Sequence, residues 1–96
     1  MLFVAIFEDS PGMSAVRQAN GAAHIEHLKR HAKEIRVGGG LRTSPDAPFS
    51  GGMWILDVDS RDRAVALIES DPYYEPAHRR YRLYHWNKVQ DCPVEL

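Results

Sequence analysis

Two residues that together could move a proton lie near the ends of two predicted helices. His24 lies near the start of the first helix, and Asp71, in the segment Asp71-Pro72-Tyr73, follows the end of the second. A carboxylate that accepts a hydrogen bond from one imidazole nitrogen fixes the tautomer and leaves the other nitrogen free as a general base. The sequence therefore predicts His24 and Asp71 as a catalytic pair, provided that the fold brings them together.

Two further side chains are candidate substrate contacts. Tyr73 directly follows Asp71, so its hydroxyl can point into the same pocket. Arg42 can bind an anionic substrate, although an arginine in a hairpin is more often solvated. Glu8 and Asp9, at the end of the first predicted strand, either border the site or are plain strand-end charges.

Three histidines on one helix offer metal binding as a rival hypothesis. His24, His27 and His31 are spaced so that all three can face one side of a helix, and three imidazoles can hold zinc or copper. Charged residues flank His27, however, and neither a carboxylate nor a cysteine with ligand spacing accompanies the row. Such a row is typical of a solvated face, so we predict neither a metal site nor a cofactor.

Apolar periodicity predicts six elements in the order strand, helix, strand, strand, helix, strand. The predicted strands cover residues 2–7, 35–43, 53–58 and 81–87, and the predicted helices cover 14–35 and 61–70, the second capped by Ser60. The segment 35–43 carries three consecutive glycines, which predicts an irregular strand with a bulge. Strands two and three are expected to pair as a hairpin.

A possible break in the first helix affects the position of His24. Gly21 costs about 1 kcal/mol in a helix interior, and Asn20 is a good N-cap residue. We therefore expect the main helix to restart at Asn20, with His24 in its first turn or just beyond. At that place the positive end of the helix dipole favours a neutral imidazole.

This element order predicts an α+β fold of the ferredoxin-like βαββαβ type, with an antiparallel sheet and both helices on one sheet face. The first two strands then run in one direction and the last two in the other, so the two crossover helices are antiparallel. The start of the first helix meets the end of the second. This is the physical reason to pair His24 with Asp71.

Two predicted strands are apolar at successive positions, namely Leu2–Phe7 and Met53–Val58. Such strands are typical of a sheet that is covered on both faces. Because one short chain has no element left to cover the second face, we expect a homodimer whose two sheets pack face to face.

Composition restricts the class of protein. The chain of 96 residues predicts one domain over residues 1–96, and its net charge of -1 gives no basic face for nucleic acid or an anionic membrane. The longest strand-like apolar run is far shorter than the roughly 20 residues of a membrane helix. Cys92 is the only cysteine and cannot form an internal bridge. We expect a cytoplasmic protein with a small-molecule substrate as its partner.

Several motifs along nearly the whole chain carry a family resemblance. They are Arg17, Ala23-His24-Ile25, Leu28, the glycine-rich segment after the first helix, and Asp71-Pro72-Tyr73. Together they resemble the YCII-related family, although Gly38-Gly39-Gly40-Leu41 stands where many relatives carry a Gly-Pro pair. The resemblance implies a ferredoxin-like dimer of the dimeric α/β barrel type, with a histidine and an aspartate as the active pair, here His24 and Asp71.

The same resemblance implies a class of reaction. A dehydrochlorinase that acts on a chlorinated hydroxyhydroquinone belongs to the family, and muconolactone isomerase resembles it in fold. We therefore expect a cofactor-independent lyase or isomerase that transfers a proton on an activated, cyclic or aromatic oxygenated substrate. A second hypothesis is a non-catalytic dimeric module that binds a small molecule or a protein, in which Asp71 caps a turn and His24 is a packed helix residue.

Overall fold

The computed structural model describes residues 1–95 and contains the six predicted elements. In chain order they are β1 (Leu2–Asp9), α1 (Met13–Arg30), β2 (Ile35–Leu41), β3 (Gly51–Asp57), α2 (Arg61–Glu69) and β4 (Arg79–His85). The predicted βαββαβ order is therefore confirmed. The predicted irregularity in β2 is also present, as a register shift between Ile35 and Val37.

The four strands form one sheet in the order β2-β3-β1-β4. Each neighbouring pair is antiparallel, and β2 and β3 form the predicted hairpin. Strands β1 and β2 thus run in one direction while β3 and β4 run in the other. This is the ferredoxin-like α+β fold of the dimeric α/β barrel type, as the sequence predicts.

The core lies on the sheet face that both helices cover. All four strands contribute apolar side chains to it, β2 through Ile35 alone, and α2 contributes three residues that are at most 1% exposed. Leu28 of α1 packs against the same cluster. The core members from the sheet and α2 are Phe3, Ala5, Phe7, Ile35, Trp54, Leu56, Leu83, Ala64, Leu67 and Ile68.

The other sheet face is open in the single chain. Burial in β1 alternates, so that Phe3, Ala5 and Phe7 are buried whereas Val4 and Ile6 are only half-buried. The expectation of strands buried on both faces is therefore not met within one chain, because both helices lie on one face and no second layer covers the other.

Helix α1 runs without interruption from Met13 to Arg30, so the predicted restart at Asn20 is wrong. Asn20 does not cap a new helix; its side-chain amide donates to the Val16 carbonyl oxygen, 3.0 Å away, one turn earlier. His24 consequently lies well inside the helix, where the dipole of the N-terminal turn does not reach it. Within residues 1–95, neither helix is both long and apolar enough to cross a membrane.

The start of α2 is held by two polar contacts. Ser60 is the N-cap, as predicted, and its hydroxyl oxygen accepts a hydrogen bond of 3.1 Å from the Arg63 amide. Arg63 also donates through Nε and Nη2 to the two carboxylate oxygens of Glu34, at 2.8 and 2.7 Å. This bidentate ion pair connects the turn after α1 to the first turn of α2.

We expect the Glu34–Arg63 ion pair to make stability depend on pH. The hydrogen bonds from Arg63 lower the pKa of Glu34 below its ordinary value of 4.5. A carboxyl group with a lowered pKa in the folded state stabilises the fold above its unfolded-state pKa, and this contribution is lost as pH falls through the folded-state pKa. The substitution Glu34→Gln should therefore lower the urea midpoint slightly at pH 7, by an amount that shrinks as the solution is acidified through pH 4.5 and below. Glu26→Gln, at an exposed position on α1, is the control, and a pH-independent difference would contradict the assignment.

Candidate active site

His24 and Asp71 are in direct contact. The His24 Nδ1 and the Asp71 Oδ1 lie 2.8 Å apart, and the two side chains are 13% and 2% exposed, respectively. The contact joins residues 47 positions apart in sequence, as the antiparallel arrangement of the helices requires. The fold thus brings the predicted pair together, while its catalytic role remains a prediction.

The position of each partner follows from the elements that carry it. Asp71 directly follows Ser70, the C-cap of α2, and there its carboxylate faces the middle of α1. One turn further along α1, the buried His27 donates from Nε2 to the Leu67 carbonyl oxygen, 2.9 Å away in the last turn of α2. Hydrogen bonds of two imidazoles, those of His24 and His27, therefore connect α1 to the C-terminal end of α2.

The Asp71 carboxylate is fixed by its own turn as well as by His24. Its Oδ1 accepts a second hydrogen bond, of 3.2 Å, from the Tyr73 amide, and the Asp71 carbonyl oxygen accepts one of 2.8 Å from the Tyr74 amide. The turn made with Pro72 therefore orients the carboxylate before it meets the imidazole. Two hydrogen bonds at Oδ1 thus stabilise the buried carboxylate.

The contact with Asp71 also fixes which imidazole nitrogen is free. A carboxylate at Nδ1 holds the ring proton there, so the neutral His24 presents an unprotonated Nε2. Within residues 1–95, no buried side-chain nitrogen or oxygen lacks a hydrogen-bond partner. Because the Nε2 of His24 makes no hydrogen bond, it must reach solvent. An imidazole held in this way can accept a proton at Nε2.

Tyr73 covers one face of the imidazole. Its ring is stacked on that of His24, with centroids 3.7 Å apart and planes inclined by 5°. The hydroxyl lies 3.5 Å from the Arg17 carbonyl oxygen, so it points toward the backbone of α1. Tyr73 thus holds the ring orientation of His24 and leaves its edge accessible. A contact between Tyr73 and substrate remains a prediction.

A second buried carboxylate, that of Asp9, lies near this pair, and its burial was not predicted from the sequence. Asp9 accepts hydrogen bonds from Arg17 Nη2 at 2.6 Å and from Arg79 Nε and Nη2 at 2.8 and 3.0 Å. Its side chain is 1% exposed and that of Arg79 is 3% exposed, so Asp9 is no solvated strand-end charge. The contact between Asp9 and Arg79 follows from the pairing register of β1 and β4, in which the two residues stand opposite each other.

Arg42 lies apart from the pair. It is exposed, and its guanidinium carbon lies 4.9 Å from the ring centroid of Phe49, in the loop between β2 and β3. Among the hydrogen bonds and ion pairs of residues 1–95, none joins Arg42 to His24, Asp71 or Tyr73. A substrate contact by Arg42 remains a prediction that the single chain does not favour.

The three histidines, two in α1 and His31 at its C-cap, do not converge on one site. His24 is bound to Asp71, and His27 is 5% exposed, so the expectation that this row belongs to a solvated face is wrong for His27. The charged neighbours of His27 in sequence lie on other faces of the helix, whereas its own ring packs edge-on against His31, with centroids 4.8 Å apart. In the part of the chain that the structure describes, no group of three or more metal-ligating side chains occurs.

The comparison with protein families identifies the family to which the chain belongs. The model of the YCII-related domain matches residues 1–87, so the chain belongs to the YCII-related family, as its motifs predict. Among solved structures, it is similar to the 5-chloro-2-hydroxyhydroquinone dehydrochlorinase from Burkholderia phenoliruptrix, in complex with 2,5-dihydroxybenzoquinone. The two chains are 27% identical with a TM-score of 0.78, and the match covers 91% of this chain and 94% of that one. No curated protein matches the chain.

We expect Asp71 to control the tautomer of His24. In the unmodified protein, ¹⁵N NMR of the neutral ring should show His24 protonated on Nδ1, whereas in Asp71→Ala the proton is no longer held there. The same substitution should lower the free energy of unfolding by about 1–3 kcal/mol, because the imidazole and the Tyr73 amide lose a buried acceptor. Asp59→Ala, at an exposed position, is the control. Unchanged ring shifts in Asp71→Ala would show that the carboxylate does not set the tautomer.

Proposed function

We propose that this protein is a small-molecule enzyme of the lyase or isomerase type that uses His24 as a general base oriented by Asp71. The observation that carries the proposal is the 2.8 Å contact at Nδ1 together with a free Nε2 on the same ring. Proton transfer needs an acceptor whose lone pair is both fixed in direction and reachable by substrate. The Nε2 edge of the His24 ring fits both requirements, a fixed direction and access for substrate.

The proposed reaction is a proton abstraction on an activated ring. Nε2 takes a proton from a carbon or oxygen atom next to a carbonyl or enol group, and the electron pair left behind forms a new double bond. In an elimination, a leaving anion departs from the adjacent carbon and the proton held by His24 passes to solvent; in an isomerisation, the proton returns to a different atom of the substrate. Asp71 stabilises the imidazolium that forms in either case.

The expected rate enhancement fits an activated substrate. General acid–base assistance supplies about 10²- to 10⁴-fold, which is too little for attack on an unactivated bond. The likeness to a dehydrochlorinase solved in complex with 2,5-dihydroxybenzoquinone supports a cyclic, oxygenated small molecule as the substrate. Because the Tyr73 ring is stacked on that of His24, it would lie beside a substrate ring that approaches His24.

We also propose that the protein is a homodimer that buries the open face of the sheet. By strand register, Val4 stands beside Ile55 and Tyr84, and Ile6 stands beside Met53, so apolar side chains from three strands form one patch. In the single chain, Tyr84 of this patch is 47% exposed. A second copy related by a two-fold axis would cover the patch with an identical one.

The pair is tested by turnover of a chlorinated hydroxyhydroquinone. We expect His24→Gln and Asp71→Asn to lower kcat/KM by about 10²- to 10⁴-fold, since each removes the oriented base, while Tm changes little in His24→Gln. His85→Gln, at an exposed histidine on β4, is the matched control. Full activity in His24→Gln would end the proposal, and a large loss of Tm with no turnover in the unmodified protein would favour the non-catalytic binding module.

The dimer is tested by light scattering after size-exclusion chromatography. Ile55→Glu places a charge in the middle of the apolar patch, so we expect the dimer to dissociate to folded monomers at micromolar concentration. Lys29→Glu, at an exposed position on α1, should leave the dimer intact. A monomeric unmodified protein would contradict the proposed interface.

A further inference from the structure

Two glycines leave part of the helical face of the sheet without side chains, next to the loop that joins β2 and β3. Gly40 and Gly52 stand opposite each other in these two strands, and Gly52 also stands opposite Phe7 of β1. Directly paired residues point to the same face of a sheet, so the missing side chains would lie on the side of Phe7 and the helices. Glycine within a strand often marks a place where another group approaches closely.

Phe49 occupies the space over Gly40. A Cβ atom added to Gly40 would stand 2.5 Å from Phe49 Cδ1 and 2.6 Å from Cε1, so the ring lies where that side chain would lie. The end of the loop is held by Ser50, whose amide donates to the Leu41 carbonyl oxygen at 2.9 Å and whose carbonyl oxygen accepts from the Asp9 amide at 3.0 Å. The Phe49 ring is therefore kept close to the sheet, although the residue is 45% exposed.

Helix α1 approaches the same ring from the other side of this space. The guanidinium carbon of Arg17 lies 5.2 Å from the Phe49 ring centroid, within the range of a cation–π contact. Gly21 and His24 follow Arg17 by four and seven positions, so the three residues share one face of the helix. Because Arg17 also donates to the Gly51 carbonyl oxygen, this face of α1 is turned toward β3. Phe49 and His24 therefore border the same stretch of α1.

This stretch of α1 does not pack tightly on the sheet. Arg17, Gly21 and His24 are all half-buried, whereas His27, at the next turn, is buried. Half-buried residues on the helix and missing side chains on the strands leave a gap between the two layers, and Phe49 closes one end of it. Seven residues of an α-helix span about 10 Å, so the gap has room for one six-membered ring with its oxygen substituents.

We propose that Phe49 is a specificity-determining residue of the site and that it limits the substrate to a single ring. The inference rests on the proposed function and adds to it the residue that sets the size of the substrate. The exposed surface of Phe49 would pack against the flat ring of the substrate, at the end of the gap away from His24. Two fused rings would collide with Phe49, whereas one ring fits between it and the imidazole.

The test compares two quinones that differ in size. Calorimetry measures the affinity of 2,5-dihydroxybenzoquinone, with one ring, and of 2-hydroxy-1,4-naphthoquinone, with two. Because the two compounds also differ in charge, the readout is the ratio of their affinities in each variant relative to the unmodified protein. We expect the unmodified protein to prefer the single ring and Phe49→Ala to shift the ratio toward the naphthoquinone by about 10-fold or more, since the removed side chain leaves room for the second ring. Phe49→Leu, which removes less volume, should give a smaller shift.

Neighbouring glycines supply a matched pair of variants. Gly40→Ala places a methyl group where the Phe49 ring lies, so the ring must move. Movement into the gap blocks the substrate and movement out of it removes the packing surface, so in either case the affinity for 2,5-dihydroxybenzoquinone should fall, by about 10-fold. Gly39→Ala adds the same methyl group at a position where no atom of the chain lies within 4 Å, and it should leave that affinity unchanged.

The outcomes separate this inference from the proposed function. In His24→Gln, turnover should be lost while the preference for the single ring remains. A Phe49→Ala variant with an unchanged ratio, even one with a lowered Tm, would show that Phe49 has only a structural role and would overturn the inference. So would equal effects of Gly39→Ala and Gly40→Ala, or an unmodified protein that prefers the naphthoquinone or binds neither quinone. None of these results alters the expectation for turnover in His24→Gln.

Discussion

The buried Asp71 carboxylate is the constraint on which the site depends. A charge that is 2% exposed is costly unless hydrogen bonds replace the lost water, and here those bonds come from the His24 ring and the Tyr73 amide. Each donor belongs to a different part of the chain, α1 and the turn after α2. The requirement to satisfy one carboxylate thus fixes the angle of a ring, the path of a turn and the contact between two helices.

A similar arrangement occurs at Asp9, the last residue of β1. That carboxylate is buried, accepts hydrogen bonds from Arg17 and Arg79, and so determines where the Arg17 guanidinium points. Asp9 and Asp71 each lie at or just after the end of an element, and each orients a group on the same face of α1. In both cases the buried acid holds its partner in place, so the groups that face solvent are an imidazole and a guanidinium.

Topology supported the pairing of His24 with Asp71, because antiparallel crossover helices bring the end of α2 against α1. The expectation that the start of α1 makes this contact is wrong, since His24 lies in the second half of the helix. The position of His24 within α1 could not be predicted, since the cost of Gly21, about 1 kcal/mol, is smaller than the stabilisation that α1 gains by packing on the sheet. Asn20 is a good cap in isolation, yet inside the intact helix it bonds to Val16 instead.

The Asp9 network and the burial of His27 were harder to predict for a different reason. Arg79 is 70 positions from Asp9, and only the register of β1 against β4 places them side by side. His27 has charged neighbours in sequence, which suggested a solvated face, but a helix turns its side chains by about 100° per residue. A single polar residue among charged ones can therefore face the core, where the Leu67 carbonyl oxygen satisfies it.

The proposed interface and the proposed site lie on opposite faces of the sheet. His24 and Asp71 belong to the helical layer, on the side of Phe3 and Phe7, whereas Val4 and Ile55 point away from it. A dimer that buries the outer face would therefore leave the Nε2 edge of His24 open to substrate. Asp71 and Tyr73 come from the same chain as His24, so the contacts that orient the ring are made within one subunit.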